Sequence, residues 1–361
     1  MKTGKTIQEL ATEIMRQAEH KHDYVADTKA LEVVPESGDV QLRLGSTGSF
    51  RINDVAHGQI AEHAKIPRQY YDRMRKEAPE LLTNNVETWF KKYPAPRMVR
   101  TLDGHARAFL SNSYRPLDNF DFAQAILPVI QSRKLEVMSC ELTEKRLYIK
   151  AVDTALFRDV PVGHKMGDGT HTIFDTCAPA IILSNSEVGF GRLVVETGVY
   201  TRACTNMALF SDGALKRTHL GARHKLVDSV ENIDHLLSDR TRQKTDEALW
   251  LQVQDVLAAA FSTDKIGERL TRLAATAENK IEGKVTDVLE VTAKKFGLND
   301  GERESVLQHL VNGGSLTQYG LHAAITRTAQ DADDYDRATE LEYLGGRVVE
   351  LSRNEWQQLA A

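Results

Sequence analysis

A short basic segment stands out in an otherwise acidic chain. Residues 197–225 contain five arginine and lysine residues but only one acid, Asp212, although the 361-residue chain has a formal net charge of −5. A cluster of cations in an acidic protein favours the binding of an anion such as the phosphate of a nucleic acid. The alternative is a basic helix face that contacts only solvent. The five basic residues are Arg202, Lys216, Arg217, Arg223 and Lys225.

Two histidines, His219 and His224, lie five residues apart in the same segment. Since a histidine can donate or accept a hydrogen bond at a phosphate or a base, we assign His224 a supporting role beside the basic residues. With Asp212, the two histidines also form a candidate catalytic or metal-binding set, so a nucleic-acid-processing enzyme is an alternative. No further strong ligand lies nearby in sequence, and we expect no metal, no cofactor and no catalytic residue.

Aromatic residues stand beside basic residues at four places in the chain. Single-stranded nucleic acid is bound by cations that contact phosphates and by rings on which bases stack. Aromatic residues make up only 7% of the chain, so most are needed in the core, and we expect one or two rings to act as platforms. We assign Tyr114 and Arg115 to the binding groove. The other groups are Tyr70, Tyr71 and Arg73; Trp89, Phe90, Lys91 and Lys92; and Tyr200 and Arg202.

Residues 59–74 have a pattern typical of a helix-turn-helix, which leads to a second hypothesis, a regulator that reads duplex DNA. Lys65 stands where a glycine usually makes the turn, and two ordinary packed helices are the simpler interpretation. The expected buried positions are Ala61, Ile66, Tyr71 and Met74, and the positions expected to face DNA are Arg68, Gln69 and Arg73.

Composition excludes several classes of protein. No apolar run approaches the roughly 20 residues that cross a bilayer, and the N-terminal residues include acids and lack the apolar stretch of a secretory signal. Cys140, Cys177 and Cys204 are isolated and odd in number, which argues against a disulfide framework and a structural zinc site. We therefore expect a cytoplasmic protein without a membrane partner.

Charge divides the chain unevenly. Residues 1–225 carry a formal charge of +4, and residues 226–361 carry −9. This asymmetry is compatible with a nucleic-acid-binding face on one part and a self-association surface on the other, so we expect a homo-oligomer. A protein that binds a protein partner through its acidic last third is a further alternative.

Hydrophobic periodicity predicts an α+β fold, with a central, mainly antiparallel sheet and packed helices. We divide the chain into a mainly helical N-terminal region with the candidate helix-turn-helix (1–96), a strand-rich central domain with the basic segment (97–226) and a helical C-terminal region (227–361).

Four local expectations follow from residue types. Thr6 should cap a first helix, and Asp118 should cap a helix that Pro128 then disturbs. A hairpin should turn through residues 143–145, and the unbroken apolar run at 178–185 should be a strand buried on both faces.

Several motifs together resemble domain-of-unknown-function family 932, the phage/plasmid-like proteins of mobile elements. The motifs are SNSYRPLDNFD, TGVYTRACTNMALF followed by LGARHK, and TQYGLHAAITRTAQDADDYDRATELEYLGGRV, within a resemblance that runs from about residue 50 to the C-terminus. The resemblance implies a setting in which neighbouring genes often handle single-stranded or recombining DNA. The matching positions are Tyr114, Arg115, Asp118, Asn119, Arg202, Cys204, Thr205, Asn206, His224, Tyr319, Ala324 and Thr326.

These observations lead to one leading hypothesis. The chain is expected to bind single-stranded DNA in a basic groove and to promote annealing or recombination as a homo-oligomer. A sheet with a helix behind it is also similar in general plan to phage single-strand annealing proteins, which is an analogy without a shared motif. The groove is expected to comprise Tyr114, Arg115, Arg202, Lys216, Arg217, Arg223, His224 and Lys225.

Overall fold

Two six-stranded β-sheets follow one another along the chain, and helices pack against both. The computed structural model describes residues 1–36, 38–164, 172–203, 205–217, 239–261 and 263–361, which form twelve strands and twelve α-helices. The fold is α+β, as predicted, and the described residues from 239 onward form helices and no named strand.

The first sheet has the strand order β1-β5-β6-β4-β3-β2 and is antiparallel except where β4 pairs with β6. Three helices pack against it, and a core that includes Leu42, Ile60 and Phe90 fills the space between them. The predicted boundary at residue 96 falls at the start of β5, which belongs to this sheet. The elements are β1 (His22–Asp27), β2 (Leu31–Glu36), β3 (Asp39–Leu44), β4 (Ser49–Ile52), α2 (Asp54–His63), α3 (Arg68–Glu77), α4 (Pro79–Lys92), β5 (Pro96–Leu102) and β6 (His105–Ser111).

The second sheet is antiparallel throughout, with the order β12-β11-β10-β8-β7 and with β9 beside the first half of β10. Its first two strands form the hairpin predicted around residues 143–145. The strands are β7 (Glu136–Leu142), β8 (Leu147–Val152), β9 (Arg158–His164), β10 (Thr172–Asn185), β11 (Leu193–Thr201) and β12 (Asn206–Arg217).

Helices cover both faces of the second sheet. On one face, Ile181 and Leu183 pack against α1 (Ile7–His20), α5 (Asn119–Ser132) and α6 (Asp239–Ala260). On the other face, Ala180 and Ile182 share a cluster with Tyr335 of a C-terminal helix. The prediction that the apolar run of β10 is buried on both faces is confirmed.

The N-termini of two helices differ in how they are capped. The Thr6 side chain accepts a hydrogen bond from the backbone N–H of Glu9, and the Glu9 carboxylate accepts one from the backbone N–H of Thr6, so the predicted cap of α1 is confirmed. Asp118 is the residue before α5, but its side chain makes no capping hydrogen bond, and that prediction is wrong. The helix also continues past Pro128 to Ser132.

The C-terminal helices pack partly on the second sheet, which the helices 263–276, 318–331 and 335–350 contact, and partly on one another. Gly346 belongs to the helix of residues 335–350, and a Cβ atom at this position would overlap the carbonyl oxygen of Leu209. Only glycine therefore lets this helix lie directly on β12. None of the described helices has the length and apolar character needed to span a membrane. The helices are α7 (Thr263–Thr276), α8 (Val285–Phe296), α9 (Asp300–Gly313), α10 (Gln318–Asp331), α11 (Tyr335–Glu350) and α12 (Arg353–Ala360).

Candidate nucleic-acid interface

The basic residues of the segment 197–225 do not all lie together. Arg202 follows the last residue of β11, whereas Lys216 and Arg217 pair with Val194 and Leu193 at the start of that strand. Since a strand rises about 3.3 Å per residue, the two positions lie roughly 26 Å apart along β11. A groove that held Arg202 together with Lys216 and Arg217 would therefore have to run the length of β11.

The rest of the basic segment is described only in part. The backbone of β12 includes Lys216 and Arg217, but their side chains lie outside what the structure describes. Residues 218–238, which contain His219, Arg223, His224 and Lys225, lie outside the described residues altogether. The exposed Arg202 guanidinium lies 5.4 Å from the ring centre of Phe157, at the far end of the sheet.

Tyr114 is a core residue in this structure. Its side chain is only 8% exposed and packs with Val55, Leu110 and Val188. Its hydroxyl donates a 2.9 Å hydrogen bond to the carbonyl oxygen of Ser186, and burial raises its pKa above the usual value. The ring therefore has no open face on which a base could stack, and its assignment to the groove is corrected; its neighbour Arg115 is partly buried.

Beside Tyr114 lies a set of buried charged residues that we call the interior ion network. Arg100, with none of its side chain exposed, donates hydrogen bonds to Asp23 and Asp118, each 2.8 Å long. Arg107 donates a 2.7 Å hydrogen bond to Glu187. The network consists of Lys21, Asp23, Arg100, Arg107, Asp118 and Glu187.

This network explains why Asp118 does not cap α5. Its carboxylate contacts Arg100 and the ammonium group of Lys21, 2.6 Å away. The backbone N–H of Asn119 instead donates a 2.7 Å hydrogen bond to Glu187, so a distant carboxylate lies at the positive end of the helix. Burial opposes the charged form of Glu187, but Arg107 and Lys21 outweigh it and lower its pKa.

The interior ion network therefore gives a structural role to most of the motif SNSYRPLDNFD. Tyr114 and Asn119 donate hydrogen bonds to the connection between β10 and β11, Arg100 and Arg107 reach it from the first sheet, and Asp118 contacts Arg100. These contacts join the two sheets.

A second group of cations lies near the connection between β10 and β11 (residues 186–192). Two of them, Lys145 and Arg146, follow the turn between β7 and β8, and Arg192 precedes β11. Arg347 lies in the last turn of α11. We call this group, together with the nearby Phe190, the basic patch: Lys145, Arg146, Phe190, Arg192 and Arg347.

An exposed aromatic ring forms part of the basic patch. The side chain of Phe190 is 42% exposed, and the ammonium group of Lys145 lies 5.7 Å from its ring centre. The Arg146 Nε–H donates a 2.9 Å hydrogen bond to the carbonyl oxygen of Phe190. A Cβ atom at Gly191 would overlap the Arg146 guanidinium, so this glycine lets the arginine lie across the turn.

Three arginines of the basic patch line one open cavity of about 430 Å³. Val194 and Leu209 supply apolar wall, and Tyr343, Glu196 and Glu350 supply polar wall. Among the residues that the structure describes, Arg146, Arg192 and Arg347 form no ion pair. By contrast, cations elsewhere, such as Arg43, Arg75 and Arg337, lie within ion-pairing distance of acids of their own chain.

Most of the other rings singled out from the sequence belong to the core. Tyr71, Phe90 and Tyr200 are buried. Tyr70 is exposed on α3, and Trp89 is partly buried. The Trp89 ring stacks on Tyr93 at 5.9 Å, with the ammonium group of Lys92 within 5.6 Å of both rings.

The helix-turn-helix pattern is matched by the local backbone. Lys65 has a φ of +54°, the left-handed conformation for which a glycine is usually chosen. The prediction that Arg68 faces DNA is wrong, because its guanidinium contacts the carboxylates of Asp54 and Asp72. Gln69 and Arg73 are exposed. The four positions predicted to be buried are buried: Ala61, Ile66, Tyr71 and Met74.

Comparisons with protein families, with curated proteins and with solved structures each find no match. Within the described part of the chain, no group of three or more histidine, cysteine, aspartate or glutamate residues could hold a metal ion. The basic patch is therefore assigned from its own geometry and charge.

Proposed function

We propose that this protein binds single-stranded DNA through the basic patch. The observation that carries the proposal is an exposed aromatic ring, Phe190, with the Lys145 ammonium group 5.7 Å from its ring centre and with three arginines lining the adjoining cavity; none of these four cations forms an ion pair with a described residue. Cations beside an exposed ring are the elements that bind a single strand: the cations contact phosphates, and the ring stacks on a base.

The exposed ring favours a single strand over a duplex. Bases of a duplex are stacked on one another and are not accessible to a ring at the tip of a protein turn, whereas bases of a single strand are free to stack on Phe190. Every base offers a flat face, so the proposed binding tolerates different sequences.

The basic segment adds to this proposal. In the register of the second sheet, Lys216 and Arg217 pair with Val194 and Leu193, directly after Arg192. The chain therefore enters residues 218–238, with Arg223, His224 and Lys225, from the end of the sheet that carries the basic patch. Annealing or recombination by a homo-oligomer, in a mobile element, is the biological role that we propose for this binding.

The proposal predicts that Arg192→Ala combined with Arg347→Ala weakens single-strand binding. The loss of two cations should make the slope of log affinity against log salt shallower, by up to about 1.4 if each contacts its own phosphate, at about 0.7 per contact. The affinity at low salt should fall at least about tenfold, because each charge-assisted hydrogen bond contributes more than 1 kcal/mol. Fluorescence anisotropy of a labelled oligonucleotide measures both quantities.

The matched control is Arg43→Ala combined with Arg51→Ala, which removes two exposed charges from the first sheet. This control should retain the salt slope of the unchanged protein. Equal losses of affinity in the two double variants would mean that net charge, and not the basic patch, determines binding.

A second candidate function is the recognition of duplex DNA by α3. The observation in its favour is the left-handed backbone of Lys65 between two helices whose buried positions fit a helix-turn-helix. The charges favour it less, because Arg73 lies 3.0 Å from Glu77 and Arg68 contacts two aspartates.

This second function predicts a preferred duplex sequence. Gln69→Ala combined with Arg73→Ala should then lower affinity for that sequence by about tenfold or more, since each base contact discriminates by about 1–3 kcal/mol. A selection from random duplexes, followed by anisotropy, tests it. Recovery of no preferred sequence would exclude α3 as a reading helix.

A further inference from the structure

The arginine-lined cavity has a composition that distinguishes it from the rest of the basic patch. Arg146, Arg192 and Arg347 line it, whereas Lys145 does not. We propose that this cavity binds the terminal phosphate of a DNA strand. This inference rests on the proposed function, and it specifies which part of the DNA strand, the phosphorylated end, binds in the cavity.

The number of donor groups favours a terminal phosphate over an internal one. A phosphomonoester has three unesterified oxygens and a charge of about −1.5 to −2 near pH 7, whereas an internal phosphodiester has two such oxygens and a single charge. Guanidinium groups bind phosphate oxygens through planar pairs of N–H donors. Three guanidinium groups at one cavity therefore match a phosphomonoester best.

The polar wall is compatible with an anionic ligand. Glu196 is only 2% exposed and shares a hydrogen bond with Tyr343. Burial and the neighbouring Glu196 raise the pKa of Tyr343, so its hydroxyl stays protonated and donates to the carboxylate. This hydrogen bond satisfies part of the Glu196 charge within the wall. With Glu350 as the other carboxylate, the three arginines leave the lining with a formal charge of +1.

The size and apolar wall suit the nucleotide that carries the phosphate. A volume of about 430 Å³ lies within the range of small-ligand sites, which are typically roughly 300–1,000 Å³. Val194 and Leu209 offer apolar surface against which a sugar or a base can pack. Phe190 lies close to the cavity, because Arg146 both lines the cavity and donates a hydrogen bond to the Phe190 carbonyl oxygen. The base next to a phosphate bound in the cavity can therefore stack on the Phe190 ring.

The test uses three single-stranded oligonucleotides of one sequence, with an internal label: one with a 5′-phosphate, one with a 3′-phosphate and one with neither. We expect one phosphorylated form to bind about tenfold more tightly than the form with hydroxyl ends, because it gains a charge-assisted hydrogen bond. The end that gives this gain identifies the source of the phosphate.

Two variants separate the cavity from the rest of the basic patch. Arg347→Gln should remove the preference for the phosphorylated end, whereas Lys145→Gln should weaken all three oligonucleotides and preserve their ratio. Equal binding of all three by the unchanged protein would overturn this inference and leave the proposed function intact. Binding of none of them would overturn the proposed function as well.

Discussion

Replacement of Arg100 by methionine is expected to lower the free energy of unfolding by about 3–5 kcal/mol, the cost of breaking a buried ion pair from one side. The Arg100 side chain is fully buried and donates to Asp23, to Asp118 and to the carbonyl oxygen of Glu187, so its loss leaves three acceptors without this donor. Urea unfolding at neutral pH, followed by circular dichroism, measures the change.

An exposed arginine of the same sheet provides the control. The Arg51 side chain is 69% exposed and lies 3.9 Å from Glu36, so Arg51→Met should cost less than about 1 kcal/mol. If Arg100→Met unfolds at the same urea concentration as Arg51→Met, the interior ion network does not hold the two sheets together.

The second large effect is expected at a buried ion pair between β8 and α11. Lys150 and Glu342 are fully buried, with Nζ 2.6 Å from Oε2, and within the described part of the chain neither charged group has a further hydrogen-bond partner. Lys150→Met should lower the free energy of unfolding by about 3–5 kcal/mol, because it leaves Glu342 as an uncompensated buried charge.

The double variant Lys150→Met with Glu342→Leu should recover most of that loss. A poorly hydrogen-bonded buried pair can often be replaced by apolar residues at no net cost, since the desolvation of both charges is then avoided. The same urea titration of both single variants and the double variant gives the coupling energy. A double variant as unstable as Lys150→Met alone would mean that the pair is required for packing.

Sequence reasoning succeeded where the signal is local. Thr6 and Glu9 form a capping box within one turn of chain, and the apolar run of β10 needs no knowledge of its neighbours to be recognised as buried. The hairpin of β7 and β8 follows from two apolar runs on either side of a polar turn.

Sequence-based prediction was wrong where the partners of a side chain lie far away in the sequence. Asp118 has the residue type and position of a helix cap. Its carboxylate instead forms ion pairs with Arg100 and Lys21, which lie far from it in sequence. Tyr114 stands beside an arginine, as a stacking platform would, yet its hydroxyl partner is 72 residues away. No local pattern distinguishes a buried tyrosine of this kind from an exposed one.

The candidate site was only partly visible from the sequence. The sequence shows residues 197–225 because their cations are close together along the chain. The cations of the basic patch come from three separate segments and are close together only in the folded structure. A signal for Phe190 was present, because an aromatic residue between two glycines in a turn tends to be exposed. Arg347 gave none, since it lies in the helical region that was expected to be acidic.

The central claim, that the basic patch binds single-stranded DNA, is tested most directly by fluorescence anisotropy with single-stranded and duplex DNA of equal length across a salt series. We expect tighter binding of the single strand, little dependence on sequence, and a slope of log affinity against log salt between about −1.4 and about −2.8, the values for two and four phosphate contacts. No binding of either form at low salt would contradict the claim.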